Sequence, residues 1–311
     1  RWIFFVNLPI AAVTILLSVT VFPASQRHPG RNVDVPGMLA FTLAAAGVTF
    51  GIIRGGEHGW GDGGALVSFL VGVAAVAIFA VIESRTATPM FPLSLLRNRM
   101  LGATLINALG QTFAAFATLP LLSLWLQQQL HMTPLNAGLA MLPMAATAFL
   151  VAGITGRLLH DARPEWTIGA SLIVVGAGSG LLALIGPGSS WVAMVPGFVV
   201  IGAGIGVNGP ALVATGMAAV SPQQGGTAAG AVNTARQLGL ALGVAVLGTV
   251  FRDVAGDARR MPLSDFVSGL DAAATVAGAV GLTFGVAAFA LFRRARAQAP
   301  VSTPAEPVLV G

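Results

Sequence analysis

Uncharged runs dominate the chain. Trp191 to Val220 is thirty consecutive residues without a charge, longer than the ~20 apolar residues that cross the ~30 Å hydrocarbon core of a bilayer. Comparable stretches, bounded by charges or by Pro/Gly clusters, recur along the sequence. They predict spans at Trp2–Phe22, Pro36–Ile53, Ala65–Ile82, Met100–Leu126, Leu135–Leu159, Trp166–Ile185, Trp191–Val220, Thr227–Phe251 and Phe266–Phe292. The pattern is that of an all-α polytopic membrane protein of about nine transmembrane helices. The connecting loops are too short to fold as soluble domains.

Composition agrees. Hydrophobic residues make up 55% and charged residues 9%, against about 25% charge in a soluble domain. There is no cysteine, so disulfides, thiolate metal sites and cysteine nucleophiles are excluded. There is no lysine, and all 16 basic residues are arginine, in a background rich in Ala, Gly and Val, as a GC-rich bacterial genome would encode. The net charge of +5 is no sign of nucleic-acid binding, because the arginines flank spans.

Those arginines orient the chain. One set of loops holds Arg27, Arg31, Arg85, Arg97, Arg99, Arg157, Arg163, Arg293, Arg294 and Arg296. The other holds Arg1, Arg54, Arg252, Arg259 and Arg260, offset by Glu57, Asp62, Asp253, Asp257 and Asp265. Ten against five places the first set in the cytoplasm, and with it the carboxy terminus. Residues 298–311 are Pro/Ala-rich and read as a disordered tail. The chain starts on Arg1 at the edge of a span, which reads as a fragment lacking its amino-terminal part.

Within the spans, Gly176 with Gly180, Gly202 with Gly206, Gly239 with Gly243 and Gly281 with Gly285 form small-xxx-small pairs. These let helix backbones approach closely in lipid; they are packing seams, or seams that also slide. Pro120 falls late in the fourth span and Pro210 late in the seventh, near opposite membrane faces, as an inverted three-span repeat would place them.

Polar groups inside spans are few. Arg236 lies about ten residues, or roughly 15 Å, into the eighth span, where an arginine costs at least ~2.5 kcal/mol. Asn233, Arg236, Gln237 and Leu240 share one helix face. Three roles fit Arg236: bonding carbonyls of a neighbouring helix, contacting a substrate or ion, or snorkelling to headgroups. Asn107 and Gln111 share a face of the fourth span, and Asn208 lies in the seventh. Each is a helix-to-helix bond or a cavity group. No acidic residue falls between Glu83 and Asp161 or between Glu165 and Asp253. Asp271 alone approaches a span interior and is the coupling candidate. No P-loop or paired-His motif is present, and His28, His58, His131 and His160 lack ligand spacing. No enzyme, metal or cofactor is therefore expected, and nothing in the residues bears on oligomeric state.

Five stretches carry a resemblance: RWIFFVNLPI at 1–10, DVPGMLAFTLAAAGVTFGIIRGGEHGW at 34–60, Glu83 to Arg99 with TPMFPLSLLRNR, LQQQLHMTPLNAGLAMLPMA at 126–145, and GTAAGAVNTARQLGLALGVAVLGTVF at 226–251. In this order they resemble the fourteen-span drug:proton antiporters of the major facilitator superfamily, the EmrB/QacA type of multidrug efflux transporter. The resemblance implies the major facilitator fold. Residues 1–22 would be the last helix of the amino-terminal bundle, 23–99 two inserted helices, 100–297 the carboxy-terminal six-helix bundle, and 298–311 the tail. The fourth, seventh and eighth spans would border a central cavity, bringing in Asn107, Gln111, Asn208 and Arg236. The basic loop motif of the family is echoed only by Gly156, Arg157, Asp161 and Arg163. The implied function is proton-coupled export of small hydrophobic or cationic molecules across a bacterial inner membrane. The alternatives are an exporter of one metabolite, antibiotic or siderophore, and a non-transporting membrane protein or remnant.

Overall fold

The computed structural model describes residues 5, 7–21, 34–86, 89–158, 163–256 and 262–297. Expectations resting on Trp2, Arg27, Arg31, Asp161, Asp257, Arg259, Arg260 and the 298–311 tail lie outside the described residues, as do the side chains of Arg157 and Pro210. Among the described residues, nine helical elements correspond to the nine expected spans. They are α1 (Asn7–Val21), α2 (Val35–His58), α3 (Gly63–Arg85), α4 (Arg99–Gln129), α5 (Pro134–Leu158), α6 (Glu165–Leu184), α7 (Trp191–Ala218), α8 (Gly225–Ala255) and α9 (Leu263–Ala297). Among the described residues, α2 to α9 are long and apolar enough to cross a membrane, and α1 is a shorter apolar helix.

Residues 1–33 and 34–311 form two compact units. In the first, α1 is apolar on every side. Its threonines are satisfied internally: Thr14 and Thr20 donate to the carbonyls of Ile10 and Leu16, each at 2.8 Å. In hydrocarbon no water could do so.

In the second unit α2 and α3 form a hairpin. Asp34 caps α2, accepting from the Gly37 N–H at 2.9 Å. Gly59, at φ 92°, ends α2 in a conformation that side chains with a Cβ avoid. Asp62 then caps α3 through the Ala65 N–H at 3.0 Å and pairs with Arg54 at 2.6 Å. The helices cross where Gly47 meets Gly72; a Cβ on Gly47 would lie 2.9 Å from the Gly72 Cα. Leu39, Leu70 and Val73 project outward as the lipid face.

The remaining six helices form a bundle around α4, the most buried of them. Its Leu101, Leu122, Trp125 and Leu126 are almost fully enclosed, whereas Leu135 and Phe149 of α5 are open to lipid. The packing has an internal symmetry. α4 packs on α8 and α9, and α7 packs on α5 and α6, while α6 packs on α9. Exchanging each helix for the one three places later leaves these pairings unchanged, as a three-helix repeat would, although α8 also packs on α9 with no comparable α5–α6 contact among the described residues. α4 is interrupted at Ala117–Thr118, just before Pro120.

Lipid tails are as apolar as leucine, so these helices are held by close contact and hydrogen bonds. Seven of the eight paired glycines face tight crossings; a Cβ on Gly180 would meet open space. A Cβ on Gly176 of α6 would lie 2.5 Å from the Leu282 amide nitrogen of α9, and one on Gly281 2.6 Å from the Gly176 Cα. Gly202 and Gly206 of α7 press on the Met144 and Ala148 carbonyls of α5, and Gly239 and Gly243 of α8 on Leu109 and Ala117 of α4. Polar fasteners add to this. Ser179 donates to Ala114 O at 2.8 Å, and buried Glu165 at the start of α6 pairs with Arg296 near the end of α9 at 2.9 Å.

Two outcomes are expected. Gly176→Ala should cost about 1–3 kcal/mol through overpacking, while Gly180→Ala, whose Cβ meets nothing within 4 Å, should be nearly neutral; thermal unfolding in detergent measures both. The bonded Arg54 guanidinium, helped by the Ala65 N–H, holds the Asp62 carboxyl below its ordinary 3.8. Its contribution is therefore present above pH ~3.8 and lost as pH falls through the lower folded value. The melting-temperature advantage over Asp62→Asn should be constant near neutrality and vanish in that acidic window.

Candidate functional site

A buried amide pair lies at the centre of the bundle. Asn208 of α7 donates through Nδ2 to Asn107 Oδ1 of α4 at 2.7 Å. Asn107 Nδ2 donates in turn to the Ile168 carbonyl of α6 at 2.8 Å. Both asparagines are 0% exposed. The Ile168 carbonyl sits in a π-helical turn, Glu165–Gly169. Such single π turns inside helices are rare and, where they occur, frequent at functional sites. This carbonyl accepts from Asn107 and also from the Ser171 hydroxyl, each at 2.8 Å. Three helices are thus tied at one point. Asn208 Oδ1 is buried without a hydrogen-bond partner. Asn107 and Asn208, expected either as cavity groups or as helix-to-helix bonds, are engaged in helix-to-helix bonds. Gln111, one turn further along α4, is 2% exposed.

α8 presents three faces, separable at 100° per residue. Ala228, Val232, Ala235, Gly239 and Gly243 are buried, and Gly239 and Gly243 press on α4. Here Thr112 also donates to the Arg236 carbonyl at 2.6 Å. Thr227, Ala231, Thr234 and Leu238 turn toward the α2–α3 hairpin. The third face carries Asn233 and Gln237, both exposed, and Arg236, half-buried. Among the described residues Arg236 has no ion-pair partner. The face reading of these three residues therefore matches the geometry, and they stand apart from the asparagine pair. Asp271 is exposed on α9 and accepts a 3.4 Å bond from Thr275 one turn on; it joins neither group.

Sequence reasoning missed two features. The first is a cavity of about 710 Å³ between the hairpin, the segment entering α4, and α8, walled by Phe41, Phe79, Met90, Phe91, Leu105 and Ala231. The second is the carboxylate behind that wall. Glu83 is buried and accepts the Phe91 N–H at 3.2 Å on both oxygens, fixing the segment that carries Met90 and Phe91. The only sequence signal was the small-residue series Gly226, Gly230 and Ala231 on one side of α8.

Fold and site together define a polytopic helical membrane protein with a repeat-built bundle, buried amides and one open polar helix face. The chain belongs to the Major Facilitator Superfamily, whose family model matches residues 1–244. It is 32% identical to the puromycin resistance protein of Streptomyces alboniger over 92% of this chain and 57% of that protein. It is 33% identical to the methylenomycin A resistance protein of Streptomyces coelicolor over 80% of this chain and 52% of that one. It is 32% identical to a probable actinorhodin transporter of the same species, over 90% and 50%. The chain thus spans about half the length of the curated relatives it matches.

Removing one amide leaves buried partners unsatisfied, at about 1–3 kcal/mol. A double-mutant cycle of Asn107→Ala and Asn208→Ala should return a coupling of about 0.6–1.7 kcal/mol, the range for intramembrane hydrogen bonds. Unfolding of the purified protein in mixed micelles measures it.

Proposed function

We propose that the chain supplies the carboxy-terminal part of a fourteen-span, EmrB/QacA-type exporter that expels hydrophobic or cationic compounds across a bacterial plasma membrane in exchange for protons. In this reading α1 ends the amino-terminal bundle within residues 1–22, α2 and α3 are the inserted pair within 23–99, and residues 100–297 form the carboxy-terminal bundle. The arginine bias puts its carboxy terminus in the cytoplasm. The two bundles would rock about a mid-membrane site.

The observation that carries the reading is the third face of α8. An arginine, an asparagine and a glutamine project together from mid-helix, and no described residue pairs with the guanidinium. Polar groups so placed face a bundle interior or a wet cavity. The proposed cavity wall is thus Asn233, Arg236 and Gln237, backed by the packed layer of Asn107, Gln111 and Asn208. Proton coupling rests on the family resemblance, with Asp271 the candidate this chain offers. Relatives bearing the names of an actinorhodin transporter and a cephamycin export protein support a second reading, export of one self-made antibiotic.

Arg236→Ala in the complete transporter should lower energised dye efflux at least tenfold while membrane insertion and yield stay normal. Unchanged efflux would reduce Arg236 to a snorkelling residue. A panel of chemically unrelated substrates separates the two readings: broad export fits the first, and export of one compound fits the second.

A further inference from the structure

We propose that the cavity between the α2–α3 hairpin and α8 holds an acyl chain of an anionic phospholipid. Its lining is aliphatic, aromatic and methionine, relieved only by threonine hydroxyls and glycine, and no charged residue lines it among the described residues. Its principal walls belong to helices long enough to cross a membrane, so the medium at its mouth is hydrocarbon. An apolar void of about 710 Å³ left empty there would forfeit dispersion contacts along its whole lining.

The cavity is built. Glu83 holds the Phe91 amide and so fixes one wall. Gly230 opens another, since a Cβ there meets nothing within 4 Å. Charge at the rim selects the occupant. Arg85 ends α3 six residues after Phe79, about 9 Å along the helix, and Arg97 directly follows Leu96, which lines the cavity, while Arg97 itself borders a neighbouring pocket with Thr215 and Ala218. Both arginines are exposed, and both lie at the membrane face where α3 ends and α4 begins. Cations beside an apolar slot suit an anionic headgroup whose chain enters the slot. Lipid is also the bulk solvent here, so it outcompetes scarce apolar solutes by mass action. The inference does not depend on the export reading.

The test uses the complete transporter in phosphatidylethanolamine vesicles carrying a few per cent of phosphatidylglycerol with a diazirine on its acyl chain. Irradiation and peptide mapping should place adducts on Met90, Phe91 and residues 227–238 several-fold above those on lipid-facing Leu139 and Phe149. Gly230→Leu, or Thr234→Leu as a second filling variant, should cut the cavity adducts at least fivefold and spare the α5 adducts. Arg85→Gln with Arg97→Gln should reduce capture to the level of a phosphatidylcholine probe. Cavity adducts no greater than those on α5, or unchanged in folded filling variants, would overturn the proposal. Equal capture of the choline probe by the unmodified protein would overturn the headgroup assignment. Displacement of the probe by micromolar tetraphenylphosphonium would reassign the cavity to substrate.

Discussion

Hydrocarbon supplies neither hydrogen bonds nor a hydrophobic drive for one helix to seek another. The packing of this chain answers that constraint. Threonines and serines bond back to carbonyls of their own helices, as Thr14 and Ser68 do. Asp34, Asp62 and Asn98 cap helix ends with their side chains. Glycines bring backbones into contact where larger residues could not fit. The asparagine pair closes on the Ile168 carbonyl in the π turn of α6. Each device replaces something that water would supply to a soluble protein.

Arg236 stands outside this pattern. Every neighbour on α8 with a packing role is small or apolar, yet three strongly polar side chains share the remaining face. Packing to α4 involves the arginine's carbonyl through Thr112, so the backbone is anchored while the side chain is left to other work. One helix thereby divides three tasks among three faces: a glycine seam to the bundle, a small-residue wall to the hairpin, and a polar surface that lipid would not tolerate.

Much of this was legible in the residues, for a physical reason. A lipid-exposed helix must be apolar over ~20 positions, so the spans announce themselves, and the 3.6-residue period alone puts Asn233, Arg236 and Gln237 on one face. The ends of α4 and α8 were less legible, because both helices continue past their apolar runs, α4 to Gln129 and α8 to Ala255. The pairing of Asn107 with Asn208 joins residues 101 apart and depends on where α4 crosses α7, which no local pattern encodes. The cavity was hidden for the same reason, since it exists only once the hairpin docks on α8. Buried carboxylates gave no local signal either. Asp34, Glu83 and Glu165 sit in or beside loops in the sequence, yet all three are buried in the fold, where they cap, clamp and pair.

The central claim is that the third face of α8 meets water in the assembled protein while the asparagine layer behind it does not. Since this chain has no cysteine, single cysteines at Asn233, Gln237 and Asn107 report on it directly. The measurement is their labelling by a charged, membrane-impermeant thiol reagent in the complete transporter, from both sides of the membrane. The account predicts rapid labelling of Asn233→Cys and Gln237→Cys and none of folded Asn107→Cys. Silence at the first two positions, or equal labelling at all three, would contradict it.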